Sequence, residues 1–443
     1  NEPVLSTDQL STGWFSLRDA YLSAGSVQAS QFAVSRWLET FSRHPAARYP
    51  VPEIIALKEV DAPKLAVLLP LTGKLADVGG AVRDGIMSGF YTDLRYSRPR
   101  QTTNAQNSGD LRFYDTESAP VEELLRQAEN NGADIIVGPL LKNRAQEAAT
   151  VNPTDTPLLL LNYLESSTAD DPAQDSSTSE IDEVGKETFQ FGTAIEAEAK
   201  TLVKHFKSEG FERILVIKGA HSWSDRALAE FRKHWPYPII VAKFNGIRNI
   251  TSAVGSAMGV SASHGRKADL ANLLGEELTF LPRARTDTDA VIALTSTLES
   301  EALVAALKFH FADGLPVYAT SQTVRGSDLR ALRELNEFKV TELPILFHPE
   351  LLERQMTELF RLRSGPLVEL YALGLDAYRI TTWLLWQRKH AESAEQPTIP
   401  LAPPVALNAA TGRLKVNEDG RIDRELDIAK INTAGELTPP KRL

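Results

Sequence analysis

The chain has 443 residues, so at about 150 residues per domain it has room for roughly three folded units, each able to bury a core. Its 42% hydrophobic and 24% charged residues exclude wholesale disorder, and its net charge of -10 makes duplex nucleic acid a poor partner. With no cysteine in the chain, disulfides, thiolate-bound metals and thiol nucleophiles are excluded together. No apolar run approaches the ~18 residues that span a bilayer.

Residues 1–48 place Leu10, Trp14, Leu17 and Tyr21, then Val34, Trp37, Leu38 and Phe41, at helical spacing. This predicts two helices around Gly25, with Pro45 closing the second. Trp14, Leu17 and Tyr21 also fit the W-x-x-L-x-x-x-Y spacing of a tetratricopeptide helix pair. One such hairpin cannot bury its apolar face alone, so it is expected to end a longer helical array or to cap the next domain, and we take the truncated array. Asn1-Glu2-Pro3 is neither an initiator Met nor a signal peptide, which fits a processed or truncated product.

From Lys64 the period changes to short apolar runs alternating with helical segments, which predicts parallel sheets with crossover helices. Strands are predicted over 65–69, 111–114, 135–137 and 158–161, with helices over 76–94, 121–130 and from Arg144. The alternation then resumes with a helix over 194–206 and strands over 214–217, 239–241, 290–294 and 317–319, separated by helices over 225–234 and 299–311. Between the two series, 165–183 holds seven acids without calcium-loop spacing and reads as a solvated insertion; 95–110 reads as a solvated loop. Leu367, Tyr371, Leu375 and Tyr378 mark one buried helix face, and Asp376 beside them is expected to cap or pair internally. Asp419-Gly420 between two alternating runs predicts a β-hairpin.

Motifs for chemistry are missing. The eight histidines form no ligand pair, and Gly80 to Gly85 lacks the Lys and Ser/Thr of a phosphate loop. Gly259-Val260-Ser261-Ala262-Ser263 lacks the last glycine of a nucleophile elbow. No cofactor, metal or catalytic residue is therefore assigned, and the chain is expected not to be an enzyme.

Residues 64–74 (KLAVLLPLTGK), 134–141 (DIIVGPLL), 371–378 (YALGLDAY) and 410–416 (ATGRLKV) resemble, in this order, type I periplasmic binding proteins. Gly79, Gly80, Gly85 and Gly89 are expected to let the helix after the first strand settle close to its sheet. Further segments, VGPLLKN at 137–143, LLLN at 159–162, FQFG at 189–192, LDAYRI at 375–380, TGRL at 411–414 and REL at 424–426, are similar to the LpoA family. Its members are outer-membrane lipoproteins that activate class A penicillin-binding proteins, the bifunctional peptidoglycan synthases.

The resemblance implies an α/β, two-lobed type I periplasmic-binding-protein fold with two doubly wound parallel sheets, preceded by a short tetratricopeptide-like all-α segment. The implied division is a hairpin over 1–48, a linker over 49–61, lobe one over 62–190 and 344–404, and lobe two over 191–343 and 405–443. It also implies a periplasmic protein tethered to the outer membrane through a lipid-bearing cysteine upstream of Asn1, with a class A penicillin-binding protein as partner. Such an activator works by shifting its partner's conformational population and needs an interface, not a catalytic group.

Thr72, Gly73, Asn143, Asn162 and Tyr163 follow predicted strands of lobe one and Trp223 follows one of lobe two, which makes them the candidate cleft-lining residues. Each also has a bland role as a turn former, a local backbone partner or a packed loop aromatic. Amino-acid receptors of the superfamily clamp their ligand with Ser/Thr hydroxyls and amides after the third and fourth strands. Here Leu140-Leu141-Lys142-Asn143 and Leu161-Asn162-Tyr163 stand there instead, so a small-molecule ligand is doubtful. A periplasmic receptor for an amino acid or similar metabolite is the alternative function, and a cell-wall hydrolase a more distant third.

Overall fold

The computed structural model describes residues 7–22, 25–51, 54, 55, 57, 62–96, 109–164, 187–277, 279, 285–347, 367–393 and 407–439. The chain forms two compact units, Asn1–Thr193 with Glu350–Arg424, and Ala194–Pro349 with Glu425–Leu443.

The first unit opens with α1 (Thr7–Leu22) and α2 (Val27–Thr40), followed by a single turn, α3 (Pro45–Arg48). Pro45 does not close α2, which ends at Thr40; it starts α3, where its missing N–H is harmless. Ser26 caps α2 by accepting from the Ala29 amide at 3.1 Å and donates its own proton to Asp93 Oδ1 at 2.6 Å. Leu17, Val27, Val34 and Trp37 join the same apolar core as Val67 and Ile86, so the hairpin and the first sheet share one interior.

Next come β1 (Lys64–Leu69), α4 (Ala76–Tyr96), β2 (Asp110–Asp115), α5 (Val121–Asn130), β3 (Ile135–Val137), α6 (Lys142–Val151), β4 (Leu158–Leu160) and β5 (Thr188–Gln190). The strands pair in parallel in the order β2-β1-β3-β4-β5, a doubly wound sheet. In β1 the two-residue period sorts Leu65, Val67 and Leu69 into the core with α4, and Ala66 and Leu68 into a second core with α5 and α6. Because both faces are covered, the strand reads as an unbroken apolar run.

In the second unit, α7 (Ile195–Glu209), β6 (Ile214–Lys218), α8 (Ser222–His234), β7 (Ile239–Lys243), α9 (Ile250–Ala257) and α10 (Val260–Leu274) lead to β8 (Ala290–Leu294). After it stand α11 (Thr297–Phe309), β9 (Val317–Ala319), α12 (Leu329–Glu334) and β10 (Lys339–Glu342). The chain then returns to the first unit for α13 (Val368–Ser393) and the three-stranded sheet of β11 (Leu407–Ala409), β12 (Gly412–Val416) and β13 (Ile422–Glu425). It finishes in the second with β14 (Asp427–Ile431) and β15 (Leu437–Thr438). The second sheet runs β15-β14-β10-β9-β8-β6-β7: five parallel strands, extended on the β10 side by two antiparallel ones.

Two further expectations are corrected. The sequence places 405–424 in the second unit, but Ala409, Leu414 and Ile422 are buried in the core of the first, and Asp376 of α13 holds the 410–411 turn. The glycines of α4 do not all face the sheet. A side chain at Gly79 would strike the Pro70 carbonyl, but at Gly85 it would strike the Tyr371 carbonyl and at Gly89 the Tyr378 ring, both on α13. The acidic stretch 165–183 and most of 95–110 lie outside the described residues.

Candidate functional site

In a doubly wound sheet ligands bind outside the carboxyl ends of the strands, where the strand order reverses, which here is between β1 and β3. After β1 the Thr72 hydroxyl donates to Asp115 Oδ2 at 2.6 Å, while the amides of Leu71 and Glu117 donate to Asp115 Oδ1 at 2.9 and 3.1 Å. Burial pushes the Asp115 carboxyl upward, but these hydrogen bonds outweigh it and hold the group below its ordinary range. The Thr72 hydroxyl is thus engaged in joining two neighbouring turns. Gly73 is exposed with φ of 73°, and a side chain there would meet nothing, so the turn demands glycine for its backbone shape and not for space.

Asn143 lies exposed in the first turn of α6. Asn162 joins the turns after β3 and β4: its Nδ2 donates to the Leu140 carbonyl at 3.0 Å, and its Oδ1 accepts from the Tyr163 amide at 3.0 Å. Tyr163 donates its hydroxyl to the Ile422 carbonyl at 2.8 Å, with the Gly192 carbonyl at 3.3 Å, and the Arg421 guanidinium lies 4.2 Å from its ring centroid. Burial pushes its hydroxyl above the ordinary range against the opposite pull of Arg424 and Arg421. The sequence thus finds Asn162 and Tyr163, which meet, but misses Asp115, Arg421 and Arg424.

Trp223 belongs to the second unit, in the first turn of α8. Its ring stacks on His221 at 5.4 Å, and His221 Nε2 lies 2.9 Å from Glu299 Oε2. Glu299 itself closes the capping box of α11 with Ser296. Trp223 packs, partly buried, against the core of its own unit from the first turn of α8 and not from a loop.

The first unit also has a cavity of about 500 Å³ at the opposite, amino ends of its strands, lined by residues including Gln28, Asp134, Thr156, Trp386 and Lys389. Among the described residues no cluster of three or more His, Asp and Glu side chains is arranged to hold a metal, and no helix is long and apolar enough to cross a membrane.

Two α/β units with parallel sheets and several chain crossovers place the protein in the periplasmic-binding-protein-like class. An ABC transporter substrate-binding protein from Sphaerobacter thermophilus superimposes with a TM-score of 0.52 at 15% identity, covering 86% of this chain and 98% of that one. Residues 5–433 match the family described as "LppC putative lipoprotein", and the chain belongs to that family. The penicillin-binding protein activator LpoA of Photobacterium profundum is 24% identical over 419 residues, 92% of this chain; the chain spans 62% of that relative's length. Full-length LpoA from Haemophilus influenzae superimposes with a TM-score of 0.60 at 18% identity, covering 99% of this chain and 71% of that one.

Proposed function

We propose that the chain is part of a non-enzymatic periplasmic regulator that binds and stimulates a class A penicillin-binding protein during peptidoglycan synthesis. The observation that carries this is the family match over nearly the whole chain, with relatives named as penicillin-binding protein activators. The turn chemistry supports it: the side-chain donors of Thr72, Asn162 and Tyr163 go to protein acceptors, whereas a receptor needs such groups turned toward its ligand. On this reading the full-length protein is tethered to the outer membrane by a lipid anchor, and the α1–α2 hairpin ends a tetratricopeptide-like array. The half-exposed Trp14 and Phe15 of α1 fit a face made for a further helix pair.

The test is peptidoglycan cross-linking by the cognate class A synthase with and without this protein, alongside a direct binding measurement. Raised cross-linking with saturable binding is expected; neither binding nor stimulation would sink the proposal. The likeness to a substrate-binding protein favours one second reading, a solute receptor. Calorimetry against the amino acids separates the two, because a receptor gives a low-micromolar ligand and the regulator gives none.

A further inference from the structure

The strand β13 alternates buried and half-buried positions, so Ile422 and Arg424 face the same way. Ile422 enters the core of the first unit. Arg424 enters with it: the residue is 4% exposed and its side chain 1%. Its guanidinium is always charged and carries five N–H donors. None of Nε, Nη1 and Nη2 has a hydrogen-bond partner. Glu369, in the first turn of α13, brings Oε1 within 3.8 Å of Nη2, close enough for attraction but beyond hydrogen-bond reach.

Three residues earlier Arg421 repeats the situation. Its Nε is buried and unpartnered, its guanidinium lies over the Tyr163 ring, and Asp423 Oδ1 stands 3.9 Å away. Both guanidiniums act on the Tyr163 hydroxyl in the direction that favours its anion, and that hydroxyl donates to the carbonyl of Ile422, which lies between the two arginines in sequence. With Glu369 and Asp423 facing them the cluster is neutral overall, and what it lacks is hydrogen-bond acceptors. A buried cation with unfilled donors is costly, and a purely structural position is better served by an apolar side chain of similar length. An acceptor that fills the fork removes that cost, and bidentate oxyanions match the geometry of a guanidinium.

We propose that Arg424, with Arg421 on the solvent side and Tyr163 as one wall, is a binding site for a single oxyanion group, a carboxylate or a phosphate. The site lies wholly within the first unit and does not depend on the penicillin-binding protein proposal. The alternative occupant is buried water, which fills donors without discriminating among solutes.

The test is calorimetry and thermal unfolding of the intact chain at fixed ionic strength in Tris chloride. The probes are inorganic phosphate, acetate and N-acetylalanine, applied to the wild type, Arg424→Met and Arg424→Lys. Saturable binding of at least one probe to the wild type is expected. It should weaken at least tenfold in Arg424→Met, which without probe unfolds at the same or a higher temperature than the wild type. Arg424→Lys keeps the charge but loses the fork, and reads out the same loss if the Met variant does not fold. Which probe saturates separates a carboxylate ligand from a phosphate. The proposal is overturned if no probe saturates on the wild type, as for a water-filled site, or if the folded variants bind as the wild type does.

Discussion

Asp376 shows how much one buried carboxylate can hold. It accepts from the amides of Ala410 at 2.9 Å and Thr411 at 2.7 Å, from the Thr411 hydroxyl at 2.7 Å, and from Arg379 Nη1 at 3.3 Å. Burial drives its carboxyl upward, more than Arg379 and the Thr411 and Ala410 hydrogen bonds pull it down. The segment 371–378 and the segment 410–416 are thus two halves of one lock. Asp376→Ala strands two buried amides and should destabilise the first unit by about 3–5 kcal/mol in urea unfolding, with Asp376→Asn costing less because it keeps an acceptor. In the second unit the buried Tyr318 hydroxyl lies between His205 Nε2 at 3.2 Å and Lys339 Nζ at 2.8 Å. Burial, aided by Lys339 and opposed by Glu209, holds His205 below its ordinary 6.5. The unfolded chain therefore takes up this proton first. The contribution of His205 is complete above about pH 6.5 and is lost as the pH falls from there through the lowered folded value. Replacing it by Gln should flatten the fall in urea midpoint between about pH 7.5 and pH 5. That Asp376 would pair internally is legible from its place beside an apolar stripe; that it pairs with Thr411 is not, because nothing local encodes a contact 35 residues away. Arg424 left a fainter signal, a charge at the inward phase of an alternating strand.

Helix α4 carries glycines of opposite meaning. Gly85 meets the backbone of α13 at Tyr371, and Gly374 of α13 meets that of α4 at Val82, so the two helices touch where both lack a side chain. At Gly80 an added methyl would meet nothing. Gly85→Ala should therefore cost about 1–3 kcal/mol or more by forcing the helices apart. Gly80→Ala should stabilise by about 0.5–1 kcal/mol, since alanine is the better helix former. Thermal unfolding of the two variants gives opposite shifts, and equal signs would mean that the crossing is not set by these glycines. The sequence shows that small residues recur in α4 but not which neighbour they face. The strands that escape prediction, β5, β10, β11, β14 and β15, are short or carry polar residues at their ends: Thr188-Phe189-Gln190, Lys339 to Glu342, Leu407 to Ala409, Asp427 to Ile431 and Leu437-Thr438. Their apolar periodicity is too brief to register without the neighbours they pair with. The parallel strands with apolar runs, β1, β3, β6 and β8, are legible because burial on both faces leaves them no polar positions besides Lys64 and Lys218 at the ends of β1 and β6.

Across the whole molecule, neither unit is built from one stretch of chain. The first takes α13 and β11 to β13 from beyond Glu350, and the second takes β14 and β15 from beyond Glu425. Truncation after Pro349 deprives the first unit of Tyr378 and Trp383, both almost wholly buried, and leaves β10 without its antiparallel neighbour. Such a fragment should unfold without a cooperative transition and lose near-ultraviolet dichroism, as for a collapsed but unpacked chain. A transition as sharp as that of the full chain would mean that the units complete themselves from their earlier segments. The interleaving has a further consequence during translation. A ribosome reaching Pro349 has made every helix and strand up to β10, yet the first unit still waits for α13 and β11 to β13, and the second sheet for β14 and β15. Each half is finished only in the last stretch of synthesis. A premature stop before Arg424 therefore leaves both units without segments that complete them.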